Sequence, residues 1–194
     1  MHSLRERKKA DTHDAIRAAA ADLFLQHGFE RTTMEMVADA ANVSVRTVFR
    51  YFPTKEDLFF GNVEVELSDL RDLLDARPTD EPLMTSVRAV AELLASRMEA
   101  EQDDDVRLAP LVRDEPALRQ RYLAVLDHVE ETIADWARLR LDAKPGDLRP
   151  GLLAACMVAI QRVVVDAVTE GDERPMPELI REAVALLANG FEQP

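Results

Sequence analysis

The sequence has almost no cysteine and no long hydrophobic run. Cys156 is the single cysteine among 194 residues, which excludes an intramolecular disulfide framework and is typical of a reducing compartment. The longest apolar stretch, residues 152–160, is too short to span a bilayer, and the charged residues 1–14 contain no apolar signal-peptide core. We therefore expect a soluble cytoplasmic protein, because its 47% of hydrophobic residues is enough for a packed core.

The motifs of enzymes and metal sites are missing as well. The four histidines, at positions 2, 13, 27 and 128, lack metal-ligand spacing, and there is no glycine-rich phosphate loop. His128 and Glu131 form one i, i+3 pair, whereas a di-metal site in a helical bundle needs two such pairs. Cys156 lies in an apolar segment, where a thiol is expected to be unreactive. We therefore expect no catalytic residue, no cofactor and no bound metal.

An excess of positive charge is also absent from the chain as a whole. The net charge is −13, and a uniformly acidic surface would repel nucleic acid. The charge is unevenly distributed, however: nine of the 24 basic and nine of the 37 acidic residues lie in residues 1–60. The whole net negative charge is therefore carried by residues 61–194, and the two parts of the chain differ electrostatically.

Apolar residues repeat with helical spacing almost throughout, which predicts an all-α fold. Ile16, Ala20, Phe24 and His27 lie on one stripe of a first helix that Gly28 is well placed to end. A long fourth helix is predicted to start at a capping box of Thr54 with Asp57 and to continue to residue 74. Turn residues delimit five more helices, for a total of about nine, near residues 82–100, 104–113, 116–141, 149–169 and 176–191.

The second and third helices are short and close together. Thr32 with Glu35 predicts a capping box at the start of the second helix, and Asn42 predicts its end, since asparagine tolerates left-handed backbone. Ser44 can cap a third helix that must end by Phe52, because Pro53 disfavours helical backbone before it. This is the spacing of a helix-turn-helix, whose later helix enters the major groove of DNA.

The third helix is predicted to have a packing side and a docking side. Arg46 lies near its N-terminus, where an arginine can pair with guanine O6 and N7. Other hydroxyl and basic side chains nearby can bind phosphate oxygens. The predicted packing residues are Val43, Val48, Phe49 and Phe52. The predicted DNA-binding residues are Thr33, Ser44, Val45, Arg46, Thr47, Arg50, Tyr51 and Lys55.

Residues 28–59, GFERTTMEMVADAANVSVRTVFRYFPTKEDLF, resemble the DNA-binding segment of the TetR (tetracycline-repressor-like) family of bacterial one-component regulators. The resemblance rests on the paired threonines, the turn ending in Val-Ser, the T-V-F-R-Y-F core and the T-K-E-D-L exit. Asn42 stands where the family usually has glycine, and Phe49 stands where it usually has a tyrosine whose hydroxyl touches phosphate. We therefore expect Phe49 to pack against the core and not to contact phosphate.

The resemblance implies more than the spacing does. It implies a homodimeric repressor that binds a near-palindromic double-stranded DNA operator and releases it when a small-molecule effector binds. Residues 1–53 would form the DNA-binding domain, and residues 54–194 the bundle for effector binding and dimerisation. The alternative is a helical ligand-binding or scaffold protein that binds no operator.

The dimer interface is predicted on the last two long helices, whose apolar stripes are too wide for one-sided burial. The alternative is that both are core helices. The stripes consist of Leu152, Leu153, Cys156, Met157, Ile160, Val163, Val164 and Ala167, and of Leu179, Ile180, Val184, Leu187, Ala188 and Phe191.

Candidate effector-binding residues are the polar-tipped or adaptable side chains among apolar ones in the later helices. The competing interpretation for each is an ordinary core or surface position. The basic run at residues 5–9 also has two interpretations. It can contact the DNA backbone or minor groove, or it can be disordered. The candidate effector-binding residues are Met98, Tyr122, His128, Trp136, Met157 and Gln161.

Overall fold

The computed structural model describes residues 4–61, 63–100 and 104–189, and omits the side chains of residues 4–10, 64, 98–100, 104–106, 113, 114 and 189. Over these ranges the chain is all-helical and has no β-strand, as predicted. The ten helices are α1 (Leu4–His27), α2 (Met34–Ala40), α3 (Val45–Tyr51), α4 (Lys55–Phe60), α5 (Val63–Asp75), α6 (Leu83–Ala100), α7 (Asp104–Asp114), α8 (Pro116–Arg140), α9 (Arg149–Thr169) and α10 (Met176–Asn189).

The predicted long fourth helix is interrupted, which gives ten described helices where the sequence indicates about nine. α4 ends at Phe60, and Gly61 follows with φ 69° and ψ −156°. Glycine adopts such positive φ values readily because it has no Cβ. The prediction of one continuous helix is therefore wrong at Gly61, beyond which α5 begins at Val63.

The described residues form two compact units, each with its own buried core. The first contains residues 4–61 and Arg107–Tyr122, and the second contains residues 63–100, 104–106 and 123–189. Leu58 and Phe59 of α4 belong to the first core, and the Phe59 ring lies 5.6 Å from Phe24 and 5.8 Å from Phe29. The packing of the first unit therefore continues past the predicted boundary at residue 53.

The start of α2 differs from the prediction by one residue. The N-cap is Thr33, whose hydroxyl accepts the Met36 N–H at 3.3 Å, and not Thr32. Thr32 is only 1% exposed, and its hydroxyl lies within donating distance of the carbonyls of Leu23 at 3.2 Å and Gly28 at 2.9 Å. The Thr32 hydroxyl is used to bind carbonyls at and just after the end of α1. Thr33, the next threonine, therefore caps α2.

The second unit is built from α6, α9, α10 and the part of α8 from Leu123 onward, with α5 packed against α6. α10 packs against both α6 and α9. On α9 the buried side chains recur at intervals of three and four residues, which places them on one stripe. They are Ala154, Met157, Ile160 and Val164.

Two loops of the second unit contain the same local structure, an aspartate two residues before an arginine. The Asp147 carboxylate accepts the backbone N–H of Arg149 at 3.0 Å and also binds its guanidinium. Asp172 binds Arg174 in the same way. The hydrogen bonds from each arginine lower the pKa of each carboxyl to about 2, so both carboxyls stay ionised at pH values where an unpaired aspartate would be protonated.

Candidate nucleic-acid interface

A tight turn joins α2 to α3. Ala41 ends α2 with right-handed backbone, and Asn42 follows with φ 53°, the left-handed conformation that the sequence predicts for it. The Val43 N–H then donates to the Ala38 carbonyl at 2.9 Å and closes the turn. Two short helices held by such a turn form a helix-turn-helix.

Ser44 caps α3, as predicted. Its hydroxyl oxygen accepts the Thr47 N–H at 3.1 Å and lies 2.8 Å from the Thr47 hydroxyl. The two predicted DNA-binding hydroxyls are therefore hydrogen-bonded to each other in the unbound protein. Any phosphate contact by either one would add to this pair or rearrange it.

α3 presents one face to its own core and another to solvent. Val48 is fully buried, and Val45 and Tyr51 are half-buried against the first core. Arg46 and Arg50 are exposed and, because they are four residues apart, lie on one face of the helix. The solvent face of α3 therefore carries two exposed guanidinium groups, whose charge suits a polyanion.

Phe49 lies on this exposed face, so its predicted packing role is wrong. It is 48% exposed and is absent from the buried cluster of the first unit. Each helical residue is rotated by about 100° from the one before it, so the residue after buried Val48 is carried toward solvent. Phe49 follows Arg46 by three residues, which makes the two side chains neighbours on the helix surface.

A residue far away in the sequence supports the end of α3. The His13 ring of α1 lies 4.7 Å from the Phe52 ring and 6.3 Å, edge-on, from the Tyr51 ring. The Arg50 guanidinium in turn lies 5.0 Å from the centre of the Tyr51 ring. Sequence spacing could not indicate the contribution of His13, because 38 residues separate it from Tyr51.

Lys55 is anchored within the first unit. Its ammonium donates to the carbonyls of Phe29 at 2.8 Å and Glu30 at 3.3 Å, and lies 4.3 Å from the centre of the Phe29 ring. Next to it, Thr54 and Asp57 form the predicted capping box of α4. Lys55 therefore ties α4 to the loop after α1, and its third N–H is the one that can serve a phosphate.

Substituting Lys55 should affect stability as well as DNA binding. We expect Lys55→Ala to lower the free energy of unfolding by about 1–2 kcal/mol, because two carbonyls lose a charged donor, and to weaken binding to all DNA sequences alike. Arg50→Ala is the matched control, since Arg50 is exposed and contacts the Tyr51 ring, so its removal should weaken DNA binding with a smaller effect on stability. Thermal unfolding and mobility-shift titrations separate the two effects. An unchanged melting temperature for Lys55→Ala would refute the anchoring role.

The candidate effector-binding residues do not converge on one cavity. Trp136 and Met157 lie in the buried core of the second unit, whereas Gln161 is exposed on α9. Tyr122 is half-buried and belongs to the first unit. The side chain of Met98 lies outside the described residues. The structure therefore brings together only Trp136 and Met157 from this set.

His128 instead lines a groove in the second unit. The groove has a volume of about 280 Å³ and is lined by Ser68 and Arg71 of α5 and by His128, Glu131 and Asp135 of α8, among others. The groove is therefore lined by both positively and negatively charged side chains. No group of three or more His, Cys, Asp or Glu side chains in the described part of the chain could hold a metal ion.

The side of α9 opposite its buried stripe is apolar and uncovered. Leu152 is 65% exposed and Val163 is 59% exposed. By length and composition alone, α9 is apolar enough to cross a membrane, but one such helix is weak evidence of a membrane span. Only 22% of its most apolar stretch is buried within the described chain. Exposed apolar faces of this kind are typical of surfaces that bind another protein.

A tight turn, a capped second helix and an exposed arginine face, on an all-helical chain, define a helix-turn-helix DNA-binding protein. Comparisons with known proteins support this class. Residues 16–61 match the family described as bacterial regulatory proteins, tetR family, and residues 81–192 match the family described as the MftR C-terminal domain. The chain belongs to the TetR family of transcriptional regulators.

Two relatives agree with this assignment, and one solved structure shares the fold. The transcriptional regulator TcmR of Streptomyces glaucescens is 31% identical over 169 residues, which cover 83% of this chain and 74% of that protein. RutR of Escherichia coli K12 is 30% identical over 144 residues, 69% of this chain and 66% of that protein. The structure of FadR from Bacillus subtilis in complex with stearoyl-CoA has a TM-score of 0.66 at 17% identity, covering 91% of this chain and 97% of that one.

Proposed function

We propose that the protein is a ligand-released transcriptional repressor that binds a near-palindromic operator as a homodimer. The observation that carries this proposal is the exposed Arg46–Arg50 face of α3, positioned by the turn at Asn42. In this proposal Arg46 reads a base, and the other contacts fix the register on the backbone. The remaining proposed DNA-binding residues are Thr33, Ser44, Val45, Thr47, Arg50, Tyr51 and Lys55.

The distribution of charge along the chain also supports DNA binding by the N-terminal residues. Residues 1–60 carry no net charge, and the −13 lies entirely in residues 61–194. Repulsion between the acidic residues 61–194 and the phosphates would favour approaches that present residues 1–60 to the duplex, with charges screened beyond about 10 Å in 0.1 M salt. The protein would act in the cytoplasm.

The uncovered apolar face of α9 supports a homodimer. Leu152 and Val163 on α9, and Leu187 on α10, are exposed in the single chain. Two copies of this helix pair would form a four-helix interface in which each copy covers the face of the other. Phe191, which the sequence predicts to join this interface, lies outside the described residues.

The effector would bind in the second unit. The groove beside His128 supports this proposal, because Arg71 can pair with an anionic group and Glu131 with a cationic one. Trp136 and Met157 would enter an effector site only if the core around them opened. The effector is unidentified, and stearoyl-CoA is a first compound to test for DNA release, because FadR of Bacillus subtilis binds it.

The function is tested by replacing Arg46. We expect Arg46→Ala to cost about 1–3 kcal/mol in operator binding and to relax the preference at one base position per half-site. The operator is obtained by selection from a random duplex pool with the full-length protein, and affinities are measured by mobility shift at a stated salt concentration.

Arg88→Ala is the control, because Arg88 is also exposed but lies on α6 in the second unit. It should leave both affinity and base preference unchanged. Equal behaviour of the two variants would refute the base-reading role of Arg46. Failure of the unmodified protein to select any duplex would favour the alternative of a helical ligand-binding or scaffold protein.

A further inference from the structure

Phe49 is a large apolar side chain that is about half exposed and does not belong to the first core. Its ring is 48% exposed and lies outside the buried cluster, while Val48 beside it is completely buried. A single exposed apolar side chain is ordinary on a protein surface. Phe49 differs because it neighbours Arg46, three residues earlier, on the exposed side of the helix that is proposed to enter the major groove.

The chemistry of the major groove limits what a phenyl ring can contact there. The base edges present hydrogen-bond donors and acceptors, and the thymine C5-methyl is the one apolar group among them. A phenyl ring has no hydroxyl with which to bind a phosphate oxygen. Docking therefore either removes the ring from water against a thymine methyl or a sugar, or leaves it beside polar edges at a cost.

We propose that Phe49 is a specificity-determining residue that recognises a thymine in each half-site by packing its ring against the C5-methyl group. This inference rests on the proposed operator binding. It assigns complementary roles to neighbours on one helix face: Arg46 pairs with a guanine, Phe49 selects thymine, and Arg50 holds the backbone. The half-site should then contain a thymine within a few base pairs of the guanine.

Uracil substitution tests the contact, because uracil differs from thymine only by the missing methyl group and keeps every hydrogen-bonding group. The operator is the duplex selected from a random pool by the full-length protein, and each thymine of the half-site is replaced in turn by deoxyuridine. One position should weaken binding about fourfold, the value for one buried methyl group, and about fifteenfold when both half-sites are changed.

The same scan with Phe49→Ala provides the decisive comparison. The variant should bind the thymine operator more weakly than the unmodified protein does, and the uracil-sensitive position should become insensitive. Phe49→Leu keeps an apolar side chain and should retain part of the sensitivity. Both variants should melt at the same temperature as the unmodified protein, since the side chain is exposed.

Three results would overturn the proposal: no uracil-sensitive position in the unmodified protein, the same sensitivity in Phe49→Ala as in the unmodified protein, or a selected half-site without thymine. In each of these cases the protein still binds its operator, so only the role of Phe49 fails. If the unmodified protein selects no duplex at all, the proposed operator binding fails as well, and the two failures are distinguishable.

Discussion

Replacing Arg140 with alanine is expected to lower the free energy of unfolding by about 3 kcal/mol, because this half-buried side chain supplies several hydrogen bonds at once. Its guanidinium donates to the carbonyls of Pro78 at 2.7 Å, Glu81 at 2.9 Å and Arg77 at 3.4 Å. It also donates to the Ser86 hydroxyl at 3.4 Å. The substitution would remove the hydrogen bonds that join α8 to the segment between α5 and α6.

Arg138→Ala is the matched control for Arg140. Arg138 lies two residues earlier on the same helix, but it is exposed and pairs with Asp135 on that helix. Such surface pairs contribute about 0.2–1 kcal/mol, so the control should lose little. Urea unfolding followed by the fluorescence of Trp136, the single tryptophan, reports on this region, because the Arg140 guanidinium lies 5.3 Å from its ring centre. Similar losses for the two variants would contradict the structural role of Arg140.

The second large effect is expected at the proposed dimer interface. Leu152→Glu combined with Val163→Glu should convert the dimer to a monomer and weaken operator binding by at least about 100-fold. A two-fold axis repeats each substitution, so the double variant would bury four uncompensated carboxylates, each of which costs several kcal/mol. Sedimentation equilibrium measures the mass directly, and mobility shift measures the loss of binding.

Leu139→Glu is the control for this experiment. Leu139 is 84% exposed on α8, outside the α9–α10 pair, so a charge there should leave the dimer intact. A dimer that persists in the double variant would contradict the proposed interface. A monomeric, well-folded double variant that binds the operator as tightly as the unmodified protein would contradict the homodimeric mode of recognition.

The features predicted correctly from the sequence are those set by a few neighbouring residues. Asn42 adopts left-handed backbone, Ser44 caps α3, and Thr54 with Asp57 caps α4. Each depends on the chemistry of residues no more than three apart. The Thr32 prediction is wrong because the carbonyls that bind its hydroxyl include that of Leu23, which lies nine residues earlier.

Contacts between distant residues account for what the sequence could not show. Lys55 binds the carbonyl of Phe29, 26 residues away, and Arg140 binds that of Pro78, 62 residues away. Helical periodicity also does not distinguish a core position from a pocket wall, which is why Trp136 and Met157 could be considered as effector contacts. The lack of a hydroxyl on Phe49 likewise did not show that its ring is buried, because its exposure depends on how α3 is oriented in the fold.

The most direct test of the account is a footprint of the full-length protein on the duplex that it selects, recorded at low and high salt. We predict two protected half-sites on one face of the duplex, with centres one helical turn or a multiple of it apart, and binding that falls steeply as salt increases. Protection of one asymmetric half-site would contradict the dimeric arrangement. Absence of any protected sequence would contradict the assignment of this protein as an operator-binding repressor.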